Sequence, residues 1–348
     1  MQSFKRPLLV IQTLFVMASS LWLVACQPSP ESNSADEASK VVVYTSRQPH
    51  LIEPLFERYT ELTGVEVEFT SASEAALIER LVAEGPQTPA DVFITVDAGN
   101  LWFASERGLF QSIESSVLEE TVPPAWRDSE NQWFGLSLRA RTIVYHPGRV
   151  DASELSSYED LADPKWRGRL CLRTSRKVYN QSLVAMMIEH HGEEETQSIV
   201  EGWVANLATD PFSSDTLLIQ AIEAGQCDVG IVNTYYLGRL INEDPNYPVA
   251  LFWANQADTG VHVNISGGGV TRYAPRPDAG KKLIEWLVSK EAQVDLALAN
   301  LEFPVNSGVP ISGVIAGWGE FVADSTPLVI AGQRQAEAVQ LMDRAGYR

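Results

Sequence analysis

The sequence predicts an α/β protein of two lobes, and three observations carry that prediction. From Lys40 onward, short β-branched runs alternate with longer amphipathic ones, the pattern of βα units laid on a mostly parallel sheet. The run "WFGLSLRARTIVYHPGRV", Trp133 to Val150, breaks the alternation with a long β-like stretch and no helix, as a crossing between two bodies would. At 348 residues and 45% hydrophobic content, the chain is long enough to build two cores.

Taken in order, "KVVVYTS" precedes "HLIEPLFERYTELTG", where Leu51, Leu55, Phe56, Tyr59 and Leu62 recur at helical spacing. "VEVEFTS" with "SEAALIERLVAEG", and "ADVFITV" with "AGNLWFASERGLF", repeat the unit. Beyond the crossing the pattern resumes with "GRLCLRTS", "NQSLVAMMIEHHG", "IVEGWVANL" and "DTLLIQAIEAG", then "CDVGIVN" and "YYLGRLINED". Residues 261–300 read as a return crossing followed by two helices. The lobes are therefore expected at 40–138 with 265–315, and at 139–264 with 316–348, joined by hinge crossings.

The first 25 residues carry Lys5 and Arg6, an apolar run and then "LVAC", the order of a secretory leader ending at a lipoprotein box. The expected mature chain starts at a lipidated Cys26. Residues 26–39 are rich in Pro, Ser and acids and read as a flexible tether, with a root-mean-square span of roughly 20 Å. An uncleaved membrane anchor is the alternative. Removing the leader takes away two cations and no acid, so the net charge of −19 becomes more negative still. Such a body repels nucleic acid and anionic membranes. Cys171 and Cys227 remain, and an even pair in an exported chain favours a disulfide over two buried thiols.

Open α/β sheets bind ligands beyond the carboxyl ends of their strands, beside helix N-termini. That rule selects four turns: 44–50, 95–100, 174–182 and 233–238. Two of them bear tyrosines. Tyr235 and Tyr236 would face opposite ways on a strand but lean into one cleft from the first turn of a helix, and Tyr179 lies in the matching turn of another unit. Neutral phenols ionise near pH 10, and a small, highly charged cation beside them would favour phenolate. Aromatic packing at a lobe interface explains the same tyrosines without a metal.

"IVNTYYLGRL", with "RTSRKVYNQSLVAMMI", "ADVFITVDAGNLW", "LSLRARTIVYHP", "VVVYTSR" and "LEFPVN", resembles the periplasmic ferric-ion-binding proteins of ABC importers along nearly the whole chain after the tether. The "NTYY" context is the specific element. The resemblance implies a type II periplasmic binding protein fold that closes on one Fe(III), with Tyr179, Tyr235 and Tyr236 as ligands. It further implies that Arg139 or Arg141 steadies a phenolate or a bound anion, and that a monomeric, lipid-anchored periplasmic protein hands iron to an inner-membrane ABC permease. The first turn departs from the family pattern. Gln48 and Pro49 stand where members often place His or His-Tyr, and Val96, with Asp97 adjacent, stands where some use Glu. Water or a small anion such as carbonate is then expected to complete the shell, with Arg47 as its partner and Gln48 as at most a weak neutral ligand.

The rival reading keeps the fold and replaces iron with another solute, an organic anion or a polyamine. A hydrolase or transferase on the same scaffold finds no positive signal, since no Gly-x-Ser-x-Gly elbow or phosphate loop is present. His50, His146, His190, His191 and His262 are scattered rather than spaced as zinc ligands, and His190-His191 read as a solvent-facing helix end.

Overall fold

The computed structural model describes residues 40–348. The leader 1–25, Cys26 and the tether 26–39 lie outside the described residues.

The first βα units are β1 (Lys40–Thr45), α1 (Pro49–Thr63), β2 (Glu66–Ser71), α2 (Glu74–Glu84), β3 (Val92–Val96) and α3 (Ala98–Glu106). Helix α1 buries Ile52, Leu55, Phe56 and Tyr59, while Leu62 is 48% exposed, so the apolar stripe sits one position off the expected one at its start and ends a turn early. Gly64 stops the helix in a left-handed conformation at φ 74°, which glycine adopts without steric penalty. Strand β4 (Phe134–Tyr145) is the long crossing. After it come β5 (Leu170–Cys171), α4 (Val178–His191), α5 (Glu193–Asn206), α6 (Asp215–Glu223), β6 (Val229–Asn233), α7 (Thr234–Glu243) and β7 (Ala250–Phe252). The chain returns through β8 (Val263–Val270) to α8 (Pro277–Leu287) and α9 (Lys290–Asn300), and closes with α10 (Val329–Gln333) and α11 (Gln335–Arg344).

The strands join in the order β2-β1-β3-β8-β4-β6-β5, with β7 beside β4. Strand β1 is parallel to β2 and β3, and β5 to β6, whereas the crossings β4 and β8 run antiparallel to their neighbours. Strand β4 changes partners along its length. Phe134 to Ala140 pair with β8, and Arg141 to Tyr145 pair with β6. The backbone therefore passes from one βα body to the other between Ala140 and Arg141.

One large apolar core runs through both bodies, from Val41, Phe93 and Ile94 to Ile143, Trp166 and Trp203. A smaller cluster of Leu218, Ile219, Ile222, Val232 and Leu237 surrounds a disulfide between Cys171 and Cys227, whose Cα atoms are 5.9 Å apart. The three glycines of "SGGGV" lie within β8, where a side chain on Gly267 would meet Leu101 and one on Gly269 would meet the carbonyl of Gln132. Only two residues of "GRLCLRTS" form a strand, and β7 was not legible as one at all. No described helix is long and apolar enough to cross a membrane.

Candidate metal centre

The four turns do not contribute alike. Strand β6 is buried along its whole length, and Asn233 ends it in an extended conformation, so that Thr234, Tyr235 and Tyr236 form the first turn of α7. The two phenol rings lie 4.4 Å apart between centroids, tilted by 36°. The Tyr235 hydroxyl accepts a hydrogen bond from Asn233 Nδ2 at 3.2 Å, and the Tyr236 hydroxyl accepts one from Arg173 Nη1 at 3.4 Å. Tyr179 occupies the equivalent first turn of α4, following Lys177. All three tyrosines line one cavity of about 490 Å³. Two helix N-termini thus present phenols to the same space, an arrangement that favours negative charge there.

Cations surround these rings. Lys177 Nζ lies 4.8 Å from the Tyr179 ring centre and the Arg139 and Arg173 guanidiniums 5.3 and 5.5 Å from it. Arg239, one helical turn beyond the tyrosine pair, stands 5.1 Å over Tyr235 and 5.7 Å over Tyr236. Among the described residues neither Lys177 nor Arg239 has a carboxylate partner. Arg173 shares the single buried carboxylate of Asp215 with Arg141, at 3.4 and 3.3 Å. The wall therefore carries surplus positive charge wherever its phenols are protonated. Burial pushes the Tyr235 phenol well above its ordinary value, with Tyr179 and Tyr236 adding to the shift and Arg139 opposing it. A ligand that takes Tyr235 as phenolate must expel its proton.

The opposite wall is built from the turns after β1, β2 and β3 and contributes Ser46, Arg47, Gln48, Ser73, Glu74 and Val96, with Glu302 beside them. Most of its polar groups are already engaged. Arg47 Nη1 donates to Glu302 Oε2 at 3.1 Å and to Ser266, and Ser137 donates to the same carboxylate at 2.6 Å. Ser46 bonds Thr95 and accepts from the Val96 amide, and Ser73 caps α2. Arg47 retains one buried nitrogen, Nε, without a partner among the described residues. Gln48 is exposed at the mouth, and Val96 presents no donor atom.

Arg139 and Arg141 follow different paths from neighbouring positions of β4. Arg141 turns beneath the site and donates to Asn180, Asn233 and the Ile231 carbonyl, bracing the residues beside Tyr179 and Tyr235. Arg139 lies against the Tyr179 ring, fully buried, with both terminal nitrogens lacking a hydrogen-bond partner among the described residues. Among the described residues its one ion pair is with Asp97, at 3.6 Å, and the Glu302 carboxylate adds a weaker attraction. His190 and His191 are not solvent-facing: they bond Asp324 at 2.8 Å and Glu159 at 2.9 Å. Among the described residues no group of three or more His, Cys, Asp or Glu could hold a metal.

Arg173, Lys177, Arg239 and Glu302 were missed from sequence. Arg239 had a signal, its spacing of one helical turn from the tyrosine pair. Arg173 had none, because its role depends on Asp215 and Tyr236 arriving from other units.

The family described as "Bacterial extracellular solute-binding protein" matches residues 44–294. Iron uptake protein A1 of Synechocystis sp. is 42% identical over 99% of this chain and 98% of its own length, and iron uptake protein A2 is 38% identical over 97% and 98%. Among solved structures, the Trichodesmium protein IdiA (FutA), in complex with iron and citrate ligands, superposes with a TM-score of 0.86 at 43% identity. The match covers 89% of this chain and all of that one. The ferric iron-binding protein A of Mannheimia haemolytica, in an open conformation, gives 0.84 at 37% identity, over 89% and 99%. The two-lobed type II fold and the kinship expected from "NTYY" are thereby in hand: the chain belongs to the bacterial extracellular solute-binding proteins, within the group that holds the iron uptake and ferric-ion-binding proteins.

Proposed function

We propose that this protein captures ferric iron outside the cytoplasm through the phenolates of Tyr179, Tyr235 and Tyr236 and delivers it to an ABC permease of the inner membrane. The convergence of three phenols on one cavity, beside Lys177 and Arg239, which have no carboxylate partner among the described residues, carries this reading. Fe(III) is a hard cation that takes anionic oxygen donors, and three phenolates match its charge. With iron neutralised in this way, the positive charge of Lys177 and Arg239 is left for a further anion. An oxygen-rich anion completing the shell, carbonate or a carboxylate brought in with the iron, lies against Gln48, Arg47 and these cations. The iron and citrate ligands of the Trichodesmium relative support that part of the reading. The lobes, 40–138 with 265–315 and 139–264 with 316–348, close over the ion by bending at the crossings, as hinge closure does around ligands generally. The chain acts as a monomer, without turnover chemistry, held at the periplasmic membrane surface by a lipid on Cys26 and the tether 26–39 after loss of residues 1–25.

Titrating the residue 27–348 protein with ferric nitrilotriacetate tests this directly, because phenolate bound to ferric iron gives a visible charge-transfer band that free tyrosine lacks. A band saturating at one iron per chain and bleached by Tyr235→Phe is the expected result. Absence of any band with excess chelate at neutral pH would return the cleft to organic anions, and polyamines are disfavoured by the cations already lining it.

A further inference from the structure

Asp97 is fully buried, yet its backbone stands at φ 79° and ψ 127°, a left-handed conformation that strains any residue but glycine. The surroundings hold it there. Its amide donates to the Ile265 carbonyl at 2.8 Å, and its carboxylate accepts from the Gly99 amide at 2.9 Å, from Asn264 Nδ2 at 2.9 Å, and from Ser182 Oγ at 2.9 and 3.0 Å. Asn264 is oriented unambiguously, since its Oδ1 accepts from the Ala98 and Ile265 amides. Burial pushes this carboxyl above its ordinary value, and Arg139 together with the Gly99, Ser182 and Asn264 donors opposes that push, so both oxygens face groups that favour the ionised form. This carboxylate gathers the α3 N-terminus, crossing β8 through Asn264, crossing β4 through Arg139, and α4 through Ser182. Ser182 lies one helical turn beyond Tyr179.

The strain has a consequence for direction. Val96 lines the cavity, and the left-handed turn at Asp97 carries its side chain behind that wall. Asp97 cannot reach a metal in the cleft, because its oxygens are occupied by donors on the far side. Arg139 is what it reaches instead. That guanidinium has two buried nitrogens without acceptors among the described residues and lies against Tyr179, where phenolate oxygens would supply the missing acceptors.

Resting on the ferric reading above, we propose that Asp97 is the positioning residue of the iron site: it fixes Arg139 behind Tyr179 and Tyr235 and part-neutralises it. The carboxylate thereby sets how strongly the guanidinium stabilises the phenolates. Asp97→Asn keeps the size of the side chain, places no more strain on this backbone than Asp does, and removes the charge. The unmasked guanidinium then stabilises the phenolate donor orbital, so the charge-transfer band moves to shorter wavelength while one iron per chain is retained. Ser182→Ala acts in the opposite sense. It removes a donor from the carboxylate, which neutralises Arg139 more fully, and the band moves to longer wavelength.

Both substitutions are to be titrated with ferric nitrilotriacetate in the residue 27–348 protein, alone and combined with Arg139→Gln. Shifts of opposite sign that vanish in the Arg139→Gln background support the inference. Equal shifts with and without Arg139 would mean that Asp97 acts on the fold and not through the guanidinium, and would overturn it, as would an unmoved band. Should Asp97→Asn fail to fold, the Ser182→Ala pair alone decides. If the unsubstituted protein shows no band, the ferric reading falls and takes this inference with it; a normal band that neither substitution moves removes this inference alone.

Discussion

The two walls of the cleft are built from the same kind of unit, a strand running into a helix, and they do opposite things. The wall after β6 and before α4 offers three phenols and leaves Lys177 and Arg239 without carboxylate partners among the described residues. The wall after β1, β2 and β3 pairs Arg47 with Glu302 and has tied Ser46 and Ser73 into turns. One wall is therefore poised for a ligand, and the other is largely self-satisfied. The difference suggests an order of events in which iron is seized by the phenol wall and the other wall then covers it.

That asymmetry can be broken at graded points. The largest effect expected is on pH, because under the proposed reading the buried Tyr235 phenol must lose its proton to bind. The phenol of Tyr235 is pushed up by burial, so it is protonated at neutral pH before iron arrives, and binding must weaken as pH falls. Release of that proton corresponds to roughly a tenfold loss of affinity per pH unit, about a thousandfold across three units, measurable by chelator competition corrected for the chelator's own protons. A slope near zero would mean that the phenols are not ligands.

Next in size is Tyr179→Phe, which removes one donor oxygen and leaves its ring packing. Its ferric dissociation constant is expected to rise more than about 100-fold, beyond the range typical of outer-shell partners. Arg173→Gln takes the hydrogen bond from the Tyr236 hydroxyl without touching a donor atom, and a loss of about 10- to 100-fold is expected by the same competition assay. Smallest is Gln48→Ala on the opposite wall, for which less than about a tenfold loss is expected if the residue only contacts an outer anion. A Gln48→Ala loss that matched Tyr179→Phe would erase the contrast between the walls.

Much of this contrast was legible before any coordinates, and the limit has a physical origin. Apolar periodicity and turn position are local properties, so the βα units and the tyrosines at the two helix N-termini could be read from short windows. The pairing of charges is not local: Arg47 and Glu302 lie 255 positions apart, and Arg141 meets Asp215 across 74. Arg47 therefore looked like a free anion partner from sequence, whereas in the fold its Nη1 is committed to Glu302 and Ser266. Asp97 was singled out only as a neighbour of Val96. That it turns behind the wall follows from a positive φ, which an Asp in "TVDAGN" does not announce. The brevity of β5 was hidden for a related reason. Beyond Cys171 the chain bends so that Arg173 can reach Asp215 and Tyr236, and its apolar composition gave no sign of that.

Under the proposed hinge closure, the change of partners along β4 puts the pivot between Ala140 and Arg141. Arg141 is in register with Asn233, two positions ahead of Tyr235, so the pivot and the tyrosine pair are nearly coincident. In a lever, displacement grows with distance from the fulcrum. A rotation at this point sweeps the exposed rim around Gln48 through a wide arc while scarcely disturbing the spacing of the phenol oxygens. A mouth that closed in this way would do so over a grip that stays the same size.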